Sequence, residues 1–470
     1  MSSNLDKREV RAPFDNRVLG EVSLTDSDLA EKALSTAADL HQSKLKPTLA
    51  ERIEILRRVV GIMSKNKEEL ALQAANEGGK PLIDSLVEIE RGIDGVEVCI
   101  EVLRGEQGHV IPMRVTPSSA NRLAFTQSFP VGPVMAVSAF NHPFNLIVHQ
   151  CIPAIAVGCP VIVKPAEATP MSAHSISKML IEAGLPAGWC QVVNTTDLTV
   201  ASKLVTDPRI SFFSFIGSGA VGWRLRSQLA PGTRCGLEHG GVAPVIIEPD
   251  ADKKRVVQSI TKGGFYHAGQ VCVSVQRVFV HEDIFDDIAD ALKNEAEKLN
   301  VGDPANKNTE VGPLINHGEA DRVATWVDEA IAGGAIKITG GKRLSDSTYA
   351  PTILIDPPEN ANISTKEVFG PVIALFKYSN IDEAISRANG LDFAFQAAIF
   401  TSDIDRSMHA YARLNASAVM INDHTAFRTD WMPFAGLGVS GHGVGGMAYT
   451  MHEMSIEKML VMNSPALSGL

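Results

Sequence analysis

The 470-residue chain carries only six cysteines, at positions 99, 151, 159, 190, 235 and 272, and none forms a C-x-x-C pair. So sparse a scatter offers no disulfide framework. It sets the expectation of a reduced, cytoplasmic setting in which most thiols are small core side chains. No His/Cys spacing typical of a zinc site occurs, so no metal is expected. Long apolar runs are missing as well. No stretch reaches the roughly 18 residues that a spanning helix needs, and the opening MSSNLDKREV lacks the apolar core of a signal peptide. No membrane partner is therefore expected. Nor is positive charge in excess: 43 Lys and Arg stand against 54 Asp and Glu, for a net charge of −11. That balance argues against nucleic acid as a partner. A small anionic ligand stays open, because local cations decide its binding. Internal repeats and low-complexity segments are also lacking.

What the chain does have is a composition 45% hydrophobic and 21% charged, which suits an enzyme with a large core, and a length that predicts two or three domains. Leu49, Ile53, Leu56, Val60 and Met63 form a helical stripe. It runs on to NEGGKP, where Gly78, Gly79 and Pro81 read as a helix stop. AFTQSFP (124–130) reads as a short strand. Strands and helices then alternate: VMAVSAF, a helix over 145–158, PVIVKPA, a helix over 171–183, ISFFSFI, a helix from 219, and APVIIE. Such alternation predicts a parallel sheet covered on both faces. A second alternating block follows from 255 to about 440. The tail SIEKMLVM is strand-like and could pair within the chain or with another subunit.

Six stretches carry chemistry. FIGSGAVG (215–222) holds G-x-G-x-x-G at Gly217, Gly219 and Gly222, after a strand and before a helix. Glu238 follows Gly217 by about 20 residues, where the dinucleotide fingerprint places a ribose-binding acid. Glu238 also precedes two glycines and a buried strand, and by itself reads as a solvated loop acid or a tuned base. Cys272, in GQVCVSVQRV, lies between a glycine turn and a β-branched run. It is either a buried thiol or a nucleophile whose pKa a nearby helix N-terminus would lower. Asn141, in SAFNHPFN, ends a strand at the place where α/β ligand sites form, or caps a turn. Lys164 and Glu167 follow the next strand and could grip a ribose or sit in a solvated turn. Glu367 and Phe369 precede a Gly-Pro turn, and taken singly are a surface acid and a core ring.

In this order and spacing, the Asn-Pro turn, K-P-A-E, the Gly-Ser turn, E-x-G-G, G-Q-x-C and E-x-F-G-P-V resemble the aldehyde dehydrogenase superfamily over residues 11 to 460. PFAGLGVSGHG (433–443) matches its late glycine-rich segment. The resemblance implies an α/β fold with a Rossmann-type parallel-sheet cofactor domain (1–116 and 131–238). To this it adds an α/β catalytic domain (239–445) and a small β oligomerisation element (117–130 and 446–470). It implies Cys272 as nucleophile, Asn141 with the Cys272 N–H as oxyanion donors, and Glu238 as the base for hydrolysis. The cofactor it implies is NAD, with NADP possible. Lys164 and Glu167 would lie at the adenosine ribose, Gly217 and Ser218 at the pyrophosphate, and Glu367 and Phe369 at the nicotinamide end. Glu167, not Glu238, is then the ribose acid. A homodimer or homotetramer is also implied.

Two departures bear on the site. His239 stands where the family has a small apolar residue, and could touch the nicotinamide or alter the titration of Glu238. NTTDL (194–198) replaces a glycine-rich loop beside the adenine. His142, Asn145 and His149 make the expected substrate funnel polar. Arg428 lies on the loop where semialdehyde-type members hold a distal anion; its alternative is a surface ion pair with Asp430. The motifs look most like the branch acting on lactaldehyde, sulfolactaldehyde, phosphonoacetaldehyde and succinate semialdehyde. The expected substrate is thus a short anionic aldehyde. The alternatives are a neutral, lactaldehyde-type substrate and a CoA-acylating enzyme, the latter disfavoured by the base at 238.

Overall fold

The computed structural model describes residues 6–105 and 108–469. Residues 1–5, part of the opening segment read above, lie outside the described residues, as do 106, 107 and 470.

The predicted stripe forms a helix, Leu49–Lys65, opened by a Thr48–Glu51 capping box and burying Ile55, Leu56, Val59 and Met63. The pattern does not run on unbroken. Asn66 interrupts it, and a second helix, Lys67–Gly78, ends on Gly79 with φ of 75°. The sequence stop was correct and the break at Asn66 was not foreseen. The long helix Leu82–Gly105 follows and packs on both.

Among the described residues, six strands make the first sheet, in the order Gly441–His442, Arg234–Glu238, Phe212–Ile216, Val134–Val137, Val161–Lys164, Cys190–Val192. All neighbours run parallel except the pair made by Gly441–His442. Helices Asn145–Val157 and Met171–Glu182 share one apolar core with this sheet. The second sheet has seven strands among the described residues: Ile336–Thr339, Thr352–Ile355, Val372–Tyr378, Val275–His281, Ala243–Ile247, Gln396–Phe400 and Ala418–Ile421. Only its edge strand Ile336–Thr339 is antiparallel. The chain passes between the two sheets through Gly240 and Gly241.

The tail pairs within the chain. Ser455–Asn463 runs antiparallel to Arg122–Pro130, which also pairs with Val110–Ile111. Residues 447–453 of the tail form a helix, Met447–Glu453, whose Met447 and Met451 enter the core beneath the first sheet. Among the described residues no helix is long and apolar enough to cross a membrane.

Candidate active site

The C-terminal ends of the first sheet face the N-terminal ends of the second. One cavity of about 510 Å³ fills the space between them. Parallel strands end there with backbone groups pointing into the gap, which is why α/β sheets bind ligands at this edge. The cavity wall includes Asn141, Glu238 and Cys272, the nicotinamide-end candidates Glu367 and Phe369, and the loop residues Gly217 and Ser218. The funnel candidates His142, Asn145, His149 and Arg428 line it too. Lys164 and Glu167 lie in an adjoining cleft, and Ala166 borders both spaces.

Cys272 is held by a turn under strain. His267, Ala268 and Gly269 all have left-handed backbones, with φ of 50°, 53° and 69°. Such runs persist only where the surroundings over-determine them. Gln270 is what locks this one: its Nε2 donates to His267 O and Pro313 O, and its Oε1 accepts from Ile315 N. Asn141 Nδ2 donates to Gln270 O at 2.9 Å, which ties the first-sheet turn to the cysteine turn. The expected helix N-terminus beside the thiol is not there; a one-turn 3₁₀ segment, Tyr266–Gly269, precedes it. Burial, and then the Glu367 and Glu238 carboxylates, push the Cys272 thiol up to about 12, against the opposing charge of Arg428. The thiol therefore rests protonated.

Glu238 is the last residue of its strand. Its own pKa is raised by burial and eased by Arg428. Gly445 makes room for it: a Cβ there would lie 2.1 Å from Glu238 Oε1. Gly240 does the same for Glu367, whose carboxylate oxygens would be 2.1 Å from a Cβ. Burial pushes Glu367 up to about 8, and its Oε1 has no hydrogen-bond partner. An unpartnered buried carboxyl oxygen fits a ligand hydroxyl. Ser218 precedes the helix Gly219–Arg226 without a side-chain capping bond, which leaves that N-terminus open to a phosphate.

His239 borders the cavity beside Glu238, with its ring packed inward. Its ring is 3% exposed, lies edge-on to Phe215 and Trp223, and donates from Nδ1 to Gly217 O at 2.9 Å. It braces the Gly217–Gly222 turn from beneath.

The far end of the cavity is cationic. Arg428 is not in a surface pair with Asp430. Asp430 is 1% exposed and accepts a bidentate fork from Arg91, with both distances 3.0 Å. Asn145 Nδ2 also donates to it, and His149 Nε2 lies 2.5 Å away. Against the burial cost, the His149 hydrogen bond and then the two guanidiniums hold Asp430 below the usual carboxylate range. Burial and Arg428 push His149 down to about 4, so its ring is neutral. Two guanidiniums thus face one carboxylate, and Arg428 Nε has no partner. Between this end and Cys272 stand His142 and Tyr266, with His142 Nε2 3.5 Å from the Tyr266 hydroxyl. Lys80 Nζ lies 2.7 Å from His142 Nδ1.

A family model, the aldehyde dehydrogenase family, matches residues 1–460. The chain belongs to that family. A 3-sulfolactaldehyde dehydrogenase of Priestia aryabhattai is 37% identical over 97% of this chain and 95% of its own length. The crystal structure of aldehyde dehydrogenase 21 from Physcomitrella patens, in complex with succinate, superposes with a TM-score of 0.94 at 33% identity, covering 98% of this chain and 96% of that one. The glyceraldehyde-3-phosphate dehydrogenase GapN of Methanocaldococcus jannaschii, complexed with NADP, gives 0.93 at 33% identity over 98% and 100%. The expected fold class is therefore correct, and the chain is an aldehyde dehydrogenase.

Sequence reasoning missed Arg91, Tyr266 and Arg322. Arg91 sits mid-helix, where no motif marks it. Its one local signal is the nearby Gly92 and Gly95, which let Phe144 and Met447 pack close. Arg322 donates to Val368 O and lies over Trp326, bracing the turn that carries Glu367.

Proposed function

We propose that this enzyme uses NAD or NADP to oxidise a short polar aldehyde bearing a distal anion, of the sulfolactaldehyde or semialdehyde kind, to its carboxylic acid. The observation that carries the substrate class is the cationic end of the cavity. Arg91 is forked on Asp430, whereas Arg428 has no carboxylate within ion-pair distance among the described residues and its Nε has no hydrogen-bond partner. A carboxylate, sulfonate or phosphonate satisfies both. Sulfolactaldehyde, the substrate named for the Priestia relative, and succinate, the product in the Physcomitrella complex, fall in the same chemical class.

The roles follow from position. Cys272 Sγ bonds to the carbonyl carbon, and the thiol proton passes to Glu238 through water. The Asn141 amide and the Cys272 N–H take up the charge on the oxygen. A nicotinamide, when held there by Glu367 and Phe369, would supply the hydride acceptor for oxidation of this adduct to the thioester level. Glu238, once it has passed the thiol proton on to solvent, removes a proton from water as the water oxygen attacks the acyl carbon; the C–S bond breaks, the acid leaves, and the protonated Glu238 returns that proton to the thiolate. Glu367 and Phe369 would hold the nicotinamide end, Ser218 and Gly217 the pyrophosphate, and Lys164 and Glu167 the adenosine ribose. The exposed apolar row Met459, Leu460, Val461 and Met462 supports assembly into a dimer or tetramer. The sparse cysteines support a cytoplasmic setting.

The test is a panel of neutral, carboxylated, sulfonated and phosphonated short aldehydes, each with NAD and with NADP. The expected result is kcat/KM roughly ten-fold or more higher for an anionic member than for its neutral match, about 1.4 kcal/mol per decade. Equal efficiencies would remove the distal-anion reading and favour the lactaldehyde type.

A further inference from the structure

The hairpin Lys7–Arg11 with Val18–Ser23 lies against the adenosine side of the first sheet, and no motif drew attention to it. Arg8 stands opposite Val22 in this pair. Its Nη1 lies 2.5 Å from Glu167 Oε2, with both side chains half-exposed. Arg8, Lys164, Glu167 and Asn194 border one cleft. The end of the hairpin is fixed there: Thr25 N donates to Asn194 O at 2.6 Å, and Asn194 Nδ2 donates to Ser23 O at 3.3 Å. Arg8 is therefore presented on an anchored backbone, with a long side chain free to turn.

An exposed ion pair of this kind contributes little to stability. Its placement matters more. A lone carboxylate accepts a hydrogen bond from a ribose 2′-hydroxyl and repels a 2′-phosphate. Here the carboxylate is paired, and Lys164 lies within Coulomb reach of both Arg8 and Glu167. Two cations against one anion make the cleft net positive, and a guanidinium matches the phosphate fork geometry.

We propose that Arg8 is a specificity-determining residue for the nucleotide: it draws Glu167 aside and, with Lys164, lets the cleft accept a 2′-phosphate as well as a 2′-hydroxyl. This rests on the reading that Lys164 and Glu167 face the adenosine ribose. Glu167 keeps a second oxygen for the hydroxyl, so NAD binding does not depend on Arg8.

The test is calorimetric titration of the full chain with 5′-AMP and with 2′,5′-ADP, which report binding without turnover. Arg8→Leu is expected to weaken 2′,5′-ADP roughly ten-fold or more and to change 5′-AMP by less than about two-fold. Arg8→Lys is expected to fall between. Equal changes for both probes, or none, overturn the proposal. Lys164→Ala separates the two layers of the argument. If it weakens both probes while Arg8→Leu spares their ratio, the ribose reading stands and the Arg8 proposal fails. If Lys164→Ala alters neither, the ribose reading fails and takes the proposal with it.

Discussion

Arg428 lies over Phe434, its guanidinium carbon 3.6 Å from the ring centroid. The ring is itself fixed edge-on by Phe395, with centroids 4.7 Å apart. A planar delocalised cation stacks in this way and a lysine ammonium does not. Arg428→Lys is therefore expected to raise KM for an anionic aldehyde by about ten-fold, and Arg428→Ala by about a hundred-fold. A neutral aldehyde of the same length should shift by less than about three-fold in both variants. Steady-state kinetics on a matched substrate pair checks this; equal losses for both substrates would detach Arg428 from anion recognition.

Glu367 gives a pH prediction. Its pKa is raised in the folded chain to about 8, chiefly by burial. A carboxyl whose folded pKa lies above its unfolded value favours the protonated native state, so its contribution is present below the unfolded pKa and is lost as pH rises towards 8. Glu367→Gln removes that titration. Without nucleotide, the variant is expected to gain thermal stability over the natural chain as pH rises from 5 to 9, with the difference levelling off above pH 8. A difference curve that is flat across the range would place the carboxyl in water rather than in the wall of the cavity.

How much of this was legible in advance divides by sequence distance. Asn141, Glu238, Cys272 and Glu367 sit at strand ends, and their turn glycines and strand runs announce them locally. Alternating apolar runs likewise reveal a parallel sheet. The order of the second sheet was not readable, because it depends on packing between elements far apart in the chain. At the anion end the sequence offered Arg428 as the anion-holding residue, with a surface pair to Asp430 as its alternative, but it could not show what holds Asp430. Arg91 and Asp430 are 339 residues apart. For His239 the sequence left two roles open, a nicotinamide contact or an effect on Glu238, and its packing against the Gly217–Gly222 turn was not readable. The space that Gly222 leaves for its ring exists only once the helix has formed.

That space yields a prediction of its own. A Cβ at residue 222 would lie 2.0 Å from His239 Cε1. Phe215 and Trp223 flank the ring at 5.7 and 5.6 Å, so it has little room to retreat. Gly222→Ala should displace the ring, break its bond to Gly217 O, and weaken dinucleotide binding by about ten-fold. Adding His239→Ala should restore much of the loss by reopening the space. Binding followed by Trp223 fluorescence would read both variants. Unchanged affinity in Gly222→Ala would mean that the turn tolerates the shift.

Glu238 separates the two halves of the proposed reaction. Glu238→Gln keeps the shape of the side chain but cannot take a proton from water. One turnover's worth of reduced nucleotide per subunit should appear in a burst if another base serves the thiol, followed by steady turnover about a hundred-fold or more slower. Intact-mass measurement during the slow phase should show the acyl group on Cys272. A free thiol with no burst would mean that Glu238 is needed already for the attack of the thiol, and a free thiol after a full burst would mean that hydrolysis does not depend on Glu238.

Lys80 and Glu88 form an ion pair at 2.9 Å in which the side chains are 3% and 1% exposed. Glu88 also holds backbone: its Oε1 accepts from Phe144 N and Asn145 N, which anchors the turn that carries Asn141 and His142. Lys80 donates to His142 Nδ1, so that ring, whose pKa lies well below its usual value through burial and the Lys80 charge, keeps its proton on Nε2, facing the cavity. Removing one member of such a pair strands the other. Lys80→Met is expected to cost about 3–5 kcal/mol of stability, because it leaves the buried Glu88 without its ammonium partner. Lys80→Met with Glu88→Gln should recover most of that loss, since a glutamine oxygen still accepts from both backbone amides and no charge remains. Chemical denaturation of the two singles and the double closes the cycle. If the double variant proves no more stable than Lys80→Met, the charge on Glu88 is not what makes the single substitution costly, and the turn at Asn141 depends on Lys80 through its bond to His142 instead.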